Sequence, residues 1–135
     1  DFVRRSDSMP GSETQVWLGD SMGEMAAYYG PADIAFIGGS LLPLGGQNLI
    51  EAAACACPVV VGPHTFNFEQ ATADAIAAGA ALRVPDAEGL ATTIRRALGD
   101  AGELAKMRAA ALRFAAAHRG ASARTLALIR SAITG

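Results

Sequence analysis

Short apolar runs alternate with alanine-rich amphipathic stretches along this chain. Residues 2–3, 15–18, 34–37, 59–61 and 82–84 read as strands, with 34–37 of the fully buried kind. Ser21 and Glu24 have the spacing of a capping box, which predicts a helix running to about Tyr29 and stopped by Gly30-Pro31. A second helix is expected from about residues 46–48 to Ala56. Asn67 and Gln70 form another capping box, opening a helix to Ala78 that Gly79 closes. Leu90, Ile94 and Leu98 recur every four residues and mark one face of a further helix. Asp100 and Glu103 cap the next, whose core face is Leu104, Met107, Ala111 and Phe114. A last helix over residues 122–133 is expected to bury Leu126, Ile129 and Ile133. Strand–helix alternation of this kind predicts an α/β fold, a Rossmann-like parallel sheet with helices on both faces.

The chain has 135 residues, enough for one domain with a core and too few for a complete two-domain enzyme. Hydrophobic residues make up 51% and charged residues 18%, which excludes a disordered chain. The most apolar stretch, residues 52–61, contains Pro58 and is far shorter than the ~20 residues of a membrane span. Cys55 and Cys57 lie too close together to bridge each other easily, so a disulfide scaffold is excluded and both read as small buried side chains. The chain starts on Asp rather than Met and reads as a soluble piece of something longer.

Charge changes the functional picture. Residues 6–82 contain no Lys or Arg but eight Asp and Glu, whereas residues 83–135 hold nine bases and four acids. A nucleic-acid partner is therefore not expected, because a recognition surface needs cations. The basic second half suits a solvated helix face, a partner surface or attraction to anionic lipid.

Three glycine-bearing loops follow strands: residues 19–24, residues 38–48 and residues 62–68. In a parallel α/β sheet, ligands bind beyond the carboxyl ends of the strands. Glycine admits a ligand to the backbone, and N–H groups at a helix start favour a phosphate. Glu51, one turn inside the second helix, suits a ribose diol, which a carboxylate can accept from with both oxygens. Each feature also has a plain structural reading: a tight turn for the glycines, a solvated helix position for Glu51, a capping partner for Glu24. His64 is open to a structural or a chemical role, and His118 reads as a helix-end charge. No metal cluster, catalytic triad or P-loop pattern is present in the sequence.

The run GDSMGEMAAYYGPADIAFIGGS, followed by GGQNLIEAAACACPVVVGPHTFNF, resembles the bacterial transferases of 3-deoxy-D-manno-oct-2-ulosonic acid (Kdo). The resemblance extends from about Arg4 to Val84 and is strongest over residues 19–68. Gln47 departs from the pattern, since the family commonly carries His there.

The resemblance implies a partial C-terminal domain of a GT-B glycosyltransferase, spanning residues 1–135 and incomplete on its N-terminal side. The parent enzyme would move Kdo from CMP-Kdo to a lipid A precursor in lipopolysaccharide biosynthesis, at the cytoplasmic face of the bacterial inner membrane. It implies that Met22, Gly23 and Glu24 lie against the CMP moiety. Gly46, Gln47, Asn48, Leu49, Ile50 and Glu51 would hold phosphate and ribose. No cofactor and no metal are expected beyond the donor substrate CMP-Kdo. The catalytic base is expected in an N-terminal domain outside this chain, which leaves these residues alone without transfer activity. Lacking strands that precede Phe2, the sheet would expose an apolar edge prone to self-association. A UDP-sugar transferase of the same architecture, and a non-catalytic α/β module, remain the alternatives.

Overall fold

The computed structural model describes residues 1–134, apart from the side chains of residues 121–123 and 134. Five short strands are all parallel to their neighbours, but they form two sheets. In the first, β1 (Phe2–Arg4) pairs with β2 (Val16–Leu18). In the second, β3 (Ala35–Phe36), β4 (Val59–Val61) and β5 (Ala81–Arg83) stand in that order. The expected single sheet is thus divided between β2 and β3, and β3 has one strand neighbour. Val16 and Leu18 of β2 are 57% and 46% exposed, so this strand lacks the two-sided burial usual for parallel strands.

β4 is the centre of the fold. Its three valines are buried, whereas Ala35 and Phe36 of β3, expected to be of the fully buried kind, are half-buried beside a single strand neighbour. Val59 and Val61 join a core with Leu49, Ala52 and Ala53 on one side and Ala110, Ala111, Phe114 and Ala115 beyond them. Leu49 leads into α2 (Ile50–Ala54), and the other four lie on α5 (Ala101–Thr134). Small alanine side chains on both let the two helices pack closely. Arg108 of α5 also ties down the loop before β3, reaching Asp33 at 2.8 Å and the Ala32 carbonyl at 3.2 Å.

The β1–β2 sheet is attached through α1 (Met25–Tyr29). The rings of Trp17 and Tyr28 lie 4.9 Å apart, and Arg5 bonds Glu24. The remaining helices are α3 (Glu69–Ala77) and α4 (Ala87–Leu98), the latter capped by the Asp86 carboxylate on the Gly89 N–H.

Several local expectations need correction. Neither capping box forms. Glu24 is itself the N-cap of α1, and its carboxylate takes Arg5 and the Ser21 hydroxyl instead of a helix N–H. Before α3 the cap is Phe68, and Gln70 bonds forward to Asp74. Asp100 does cap α5, accepting from the Glu103 N–H at 2.9 Å. The two expected terminal helices are one. Gly120, with neither proline nor a left-handed turn beside it, is carried through at a cost of ~1 kcal/mol relative to alanine. The expected buried stripe of Leu126, Ile129 and Ile133 is 50%, 51% and 78% exposed. On α4, Leu98 is likewise exposed, leaving Leu90 and Ile94 as the half-buried part of its face.

Candidate functional site

The carboxyl ends of β3 and β4 carry two loops that hold each other rigidly. Ser40, fully buried, accepts from the Gly62 N–H at 2.8 Å, and the His64 N–H donates to the Ser40 carbonyl at 2.9 Å. Asn67 donates through its side chain to the Leu44 carbonyl and through its N–H to Gly45. Glycine is required twice here. A Cβ at Gly62 would strike the Ser40 carbonyl, and one at Gly45, where φ is +88°, would strike Asn67 and Phe66. These loops deliver the chain into α2 through Gly46, also at positive φ.

At the start of α2, Asn48 holds the backbone and the acid together. Its side-chain oxygen accepts from the Ile50 N–H at 3.0 Å, and its amide donates to the Glu51 carboxylate at 3.3 Å. Glu51 is exposed and stands between two adjoining cavities. One, of about 430 Å³, is bounded by Gly23, Met25 and Ala26 on the α1 side and Glu51, Ala54 and Cys55 on the α2 side. The other, of about 340 Å³, has Met25 and Tyr29 on one wall and Phe36, Ile37 and Gly38 at the end of β3. Gln47, Asn48 and Glu51 close it from α2. Together they give an open cleft with an apolar floor and a polar rim, the make-up of small-ligand sites.

The sequence-predicted residues divide accordingly. Gly23, Gln47, Asn48 and Glu51 line the cleft. Met22 is 96% exposed at the tip of its loop and lines neither cavity. Gly46 is buried beneath the loop, and Leu49 is in the core at 1% exposure, so only its main chain can face a ligand. Ile50 packs against the same core. The helix start offers less to an anion than its sequence implies: α2 has five residues, and Asn48 already takes the Ile50 N–H. Met25, Tyr29, Phe36 and Cys55 line the cleft without having been singled out in the sequence. Only strand alternation and the helical face of α1 bear on them, and neither marks a ligand.

Electrostatics sharpen the site. Burial and the nearby Glu51 charge push the Tyr29 hydroxyl above its usual pKa, so it stays a neutral hydrogen-bonding group. Burial also raises the Cys57 thiol. Three arginines from outside the base-free stretch each cross to one acid within it: Arg5 to Glu24, Arg83 to Glu69 and Arg108 to Asp33. Glu51 has no such cationic partner among the described ion pairs and faces the cleft instead. Among the described residues, no group of three or more His, Cys, Asp and Glu is placed to hold a metal ion, and no helix is long and apolar enough to cross a membrane.

Parallel strands flanked by helices, with a cleft at their carboxyl ends, define an α/β domain of the class that places its ligand site there. The chain belongs to the family of glycosyl transferases group 1, whose profile matches residues 3–114. It is similar to the 3-deoxy-D-manno-octulosonic acid transferase of Bordetella pertussis, 52% identical over 127 residues, which are 93% of this chain and 30% of that protein. The corresponding transferase of Haemophilus influenzae is 54% identical over 70 residues, 51% of this chain and 16% of that protein. The crystal structure of the C-terminal CMP-Kdo binding domain of WaaA from Acinetobacter baumannii matches with a TM-score of 0.77 at 34% identity. That match covers 84% of this chain and 60% of the crystal chain. The chain therefore spans less than a third of the length of these curated relatives.

Proposed function

We propose that this chain is the donor-binding part of a transferase that moves Kdo from CMP-Kdo to a lipid A precursor. The observation that carries this reading is Glu51, a carboxylate without a cationic partner among the described ion pairs, braced by Asn48 where two cavities meet. Its oxygens accept from both ribose hydroxyls of the cytidine nucleotide. The backbone of residues 22–24 and 46–50 lines the remainder of the nucleotide. The 34% identity to a domain described as binding CMP-Kdo supports this donor.

In the reaction, an acceptor hydroxyl attacks the anomeric carbon of Kdo and the bond to the CMP phosphate oxygen breaks. A base takes the hydroxyl proton, and CMP leaves with the bonding electron pair. Glu51 is committed to the ribose in this reading, so we assign the base to the N-terminal domain of the whole protein. The whole protein would work at the cytoplasmic face of the inner membrane, where the lipid acceptor is made.

We further read residues 1–135 as a domain incomplete on its N-terminal side. The unpaired edges of β2 and β3 support this, as does the 60% coverage of the crystal domain. Self-association through those edges is the alternative outcome for the chain on its own. Calorimetry with CMP, UMP and UDP tests the donor reading. Tightest binding of CMP is expected, whereas a preference for UDP would assign a UDP-sugar donor instead. Binding of no nucleotide by the folded protein would overturn the reading.

A further inference from the structure

The loop of residues 19–24 is fixed from outside by β1. The Arg5 N–H donates to the Leu18 carbonyl at 2.8 Å, which sets the end of the strand beside the end of β2. From there the half-buried guanidinium reaches Glu24 Oε1 at 3.0 Å. The Ser21 hydroxyl donates to the other carboxylate oxygen of Glu24. Both oxygens are therefore engaged, one by a cation just beyond the end of β1 and one by the loop itself. Between Ser21 and Glu24 lie the exposed Met22 and Gly23, whose φ of +78° turns the backbone toward α1. The next residue, Met25, lines both cavities beside Glu51. No Lys or Arg occurs between residues 6 and 82, so a cation that holds this loop must come from outside that stretch, as Arg5 does.

We propose that Arg5 is a positioning residue for the donor: through Glu24 it sets the backbone of residues 22–24 against the nucleotide. This rests on the donor reading above. Arg5 does not itself meet the phosphate, because its guanidinium is committed to Glu24. Loss of Arg5 releases Glu24 and frees the loop to wander, which removes backbone contacts shared by both the nucleotide and its nucleoside.

The test is calorimetry on the full protein with CMP and with cytidine, which lacks the phosphate. Arg5→Met is expected to weaken both ligands equally, by about 3- to 5-fold, the scale of a partly exposed ion pair. Arg5→Lys, which keeps a single charged donor, is expected to stay within about 2-fold of the unaltered protein. Arg108→Met breaks a comparable ion pair away from the loop and is expected to lower the thermal midpoint while leaving both affinities unchanged. Selective loss of CMP binding in Arg5→Met would overturn the proposal in favour of direct phosphate contact. Unchanged affinities, or losses that simply follow the thermal midpoint as in Arg108→Met, would overturn it in favour of a purely structural ion pair. If the unaltered protein bound neither ligand, the donor reading itself would fall.

Discussion

The Ser40 hydroxyl accepts from the Gly62 N–H at 2.8 Å and donates to the Ile37 carbonyl at 2.5 Å, joining the ends of β3 and β4 through one atom. The side chain is fully buried, so water cannot replace either partner. Ser40→Ala leaves a buried N–H and a buried carbonyl without that partner. The expected loss is about 2–3 kcal/mol in a denaturation measurement. Ser12→Ala, at an exposed position, is expected to change stability by less than about 0.5 kcal/mol.

The two cysteines are two residues apart and chemically unlike. Cys57 is fully buried, and burial raises its thiol pKa above the ordinary value of 9.0. A raised acid favours the protonated form in the fold. Its contribution is therefore complete below about pH 9 and lost as pH rises through the folded value. Cys55 is half-buried on the wall of the larger cavity. Alkylation near pH 7.5 is expected to modify Cys55 alone, and CMP should slow it. Labelling of Cys57 in the folded protein, or no protection by CMP, would contradict the placement of the cleft.

Ala56 ends α2 with φ at +57°, in the left-handed region that glycine adopts without a Cβ penalty. The turn is fixed by the Cys57 N–H on the Ala52 carbonyl at 3.0 Å. Ala56→Gly relieves that strain, offset in part by the greater freedom of the unfolded chain. A net gain of about 0.5 kcal/mol is expected from chemical denaturation, and a loss would show that the alanine is unstrained.

What the sequence disclosed and what it hid follow from the range of the interactions. The valine run of β4, the glycine loops and the Asp100 cap are local patterns, and the structure carries all three. The Ser21–Glu24 spacing misled because a carboxylate near a helix start can bond a side chain as readily as a backbone N–H. The choice was made by Arg5, nineteen residues away. The division between β2 and β3 was equally hidden, since pairing of strands is decided across the chain. Leu126, Ile129 and Ile133 share a helical face, and periodicity alone does not say whether anything covers it. For the cleft, the glycine loop leading into α2 marked the region, and Asn48 and Glu51 do line it. Tyr29 and Phe36 were not legible, because nothing local distinguishes a cleft wall from a core.

The long helix α5 gives a direct contrast. Its first half buries Leu104, Met107 and Phe114, while Leu126 and Ile129 in its second half are about half exposed. Phe114→Ala removes a ring from the core and is expected to cost about 3–4 kcal/mol. Leu126→Ser and Ile129→Ser are each expected to stay within about 0.5 kcal/mol in this chain. A large loss from either serine variant would reveal that another surface covers the stripe.

Glu51 is the most direct handle on ligand recognition. Its carboxylate is braced by Asn48 and open to both cavities, so the side chain is available to a ligand without breaking the core. Glu51→Ala is expected to weaken CMP by about 1.5–3 kcal/mol, the worth of charged hydrogen bonds to the ribose. Glu51→Gln keeps the shape and an acceptor but loses the charge, so its loss should be smaller. The chemical counterpart is 2′-deoxy-CMP, which lacks one of the two hydroxyls. If Glu51 holds the diol, the unaltered protein prefers CMP over its deoxy form, and Glu51→Ala erases most of that preference. Equal discrimination by both proteins would mean that the ribose is read elsewhere, and that Glu51 acts only on the electrostatics of the cleft.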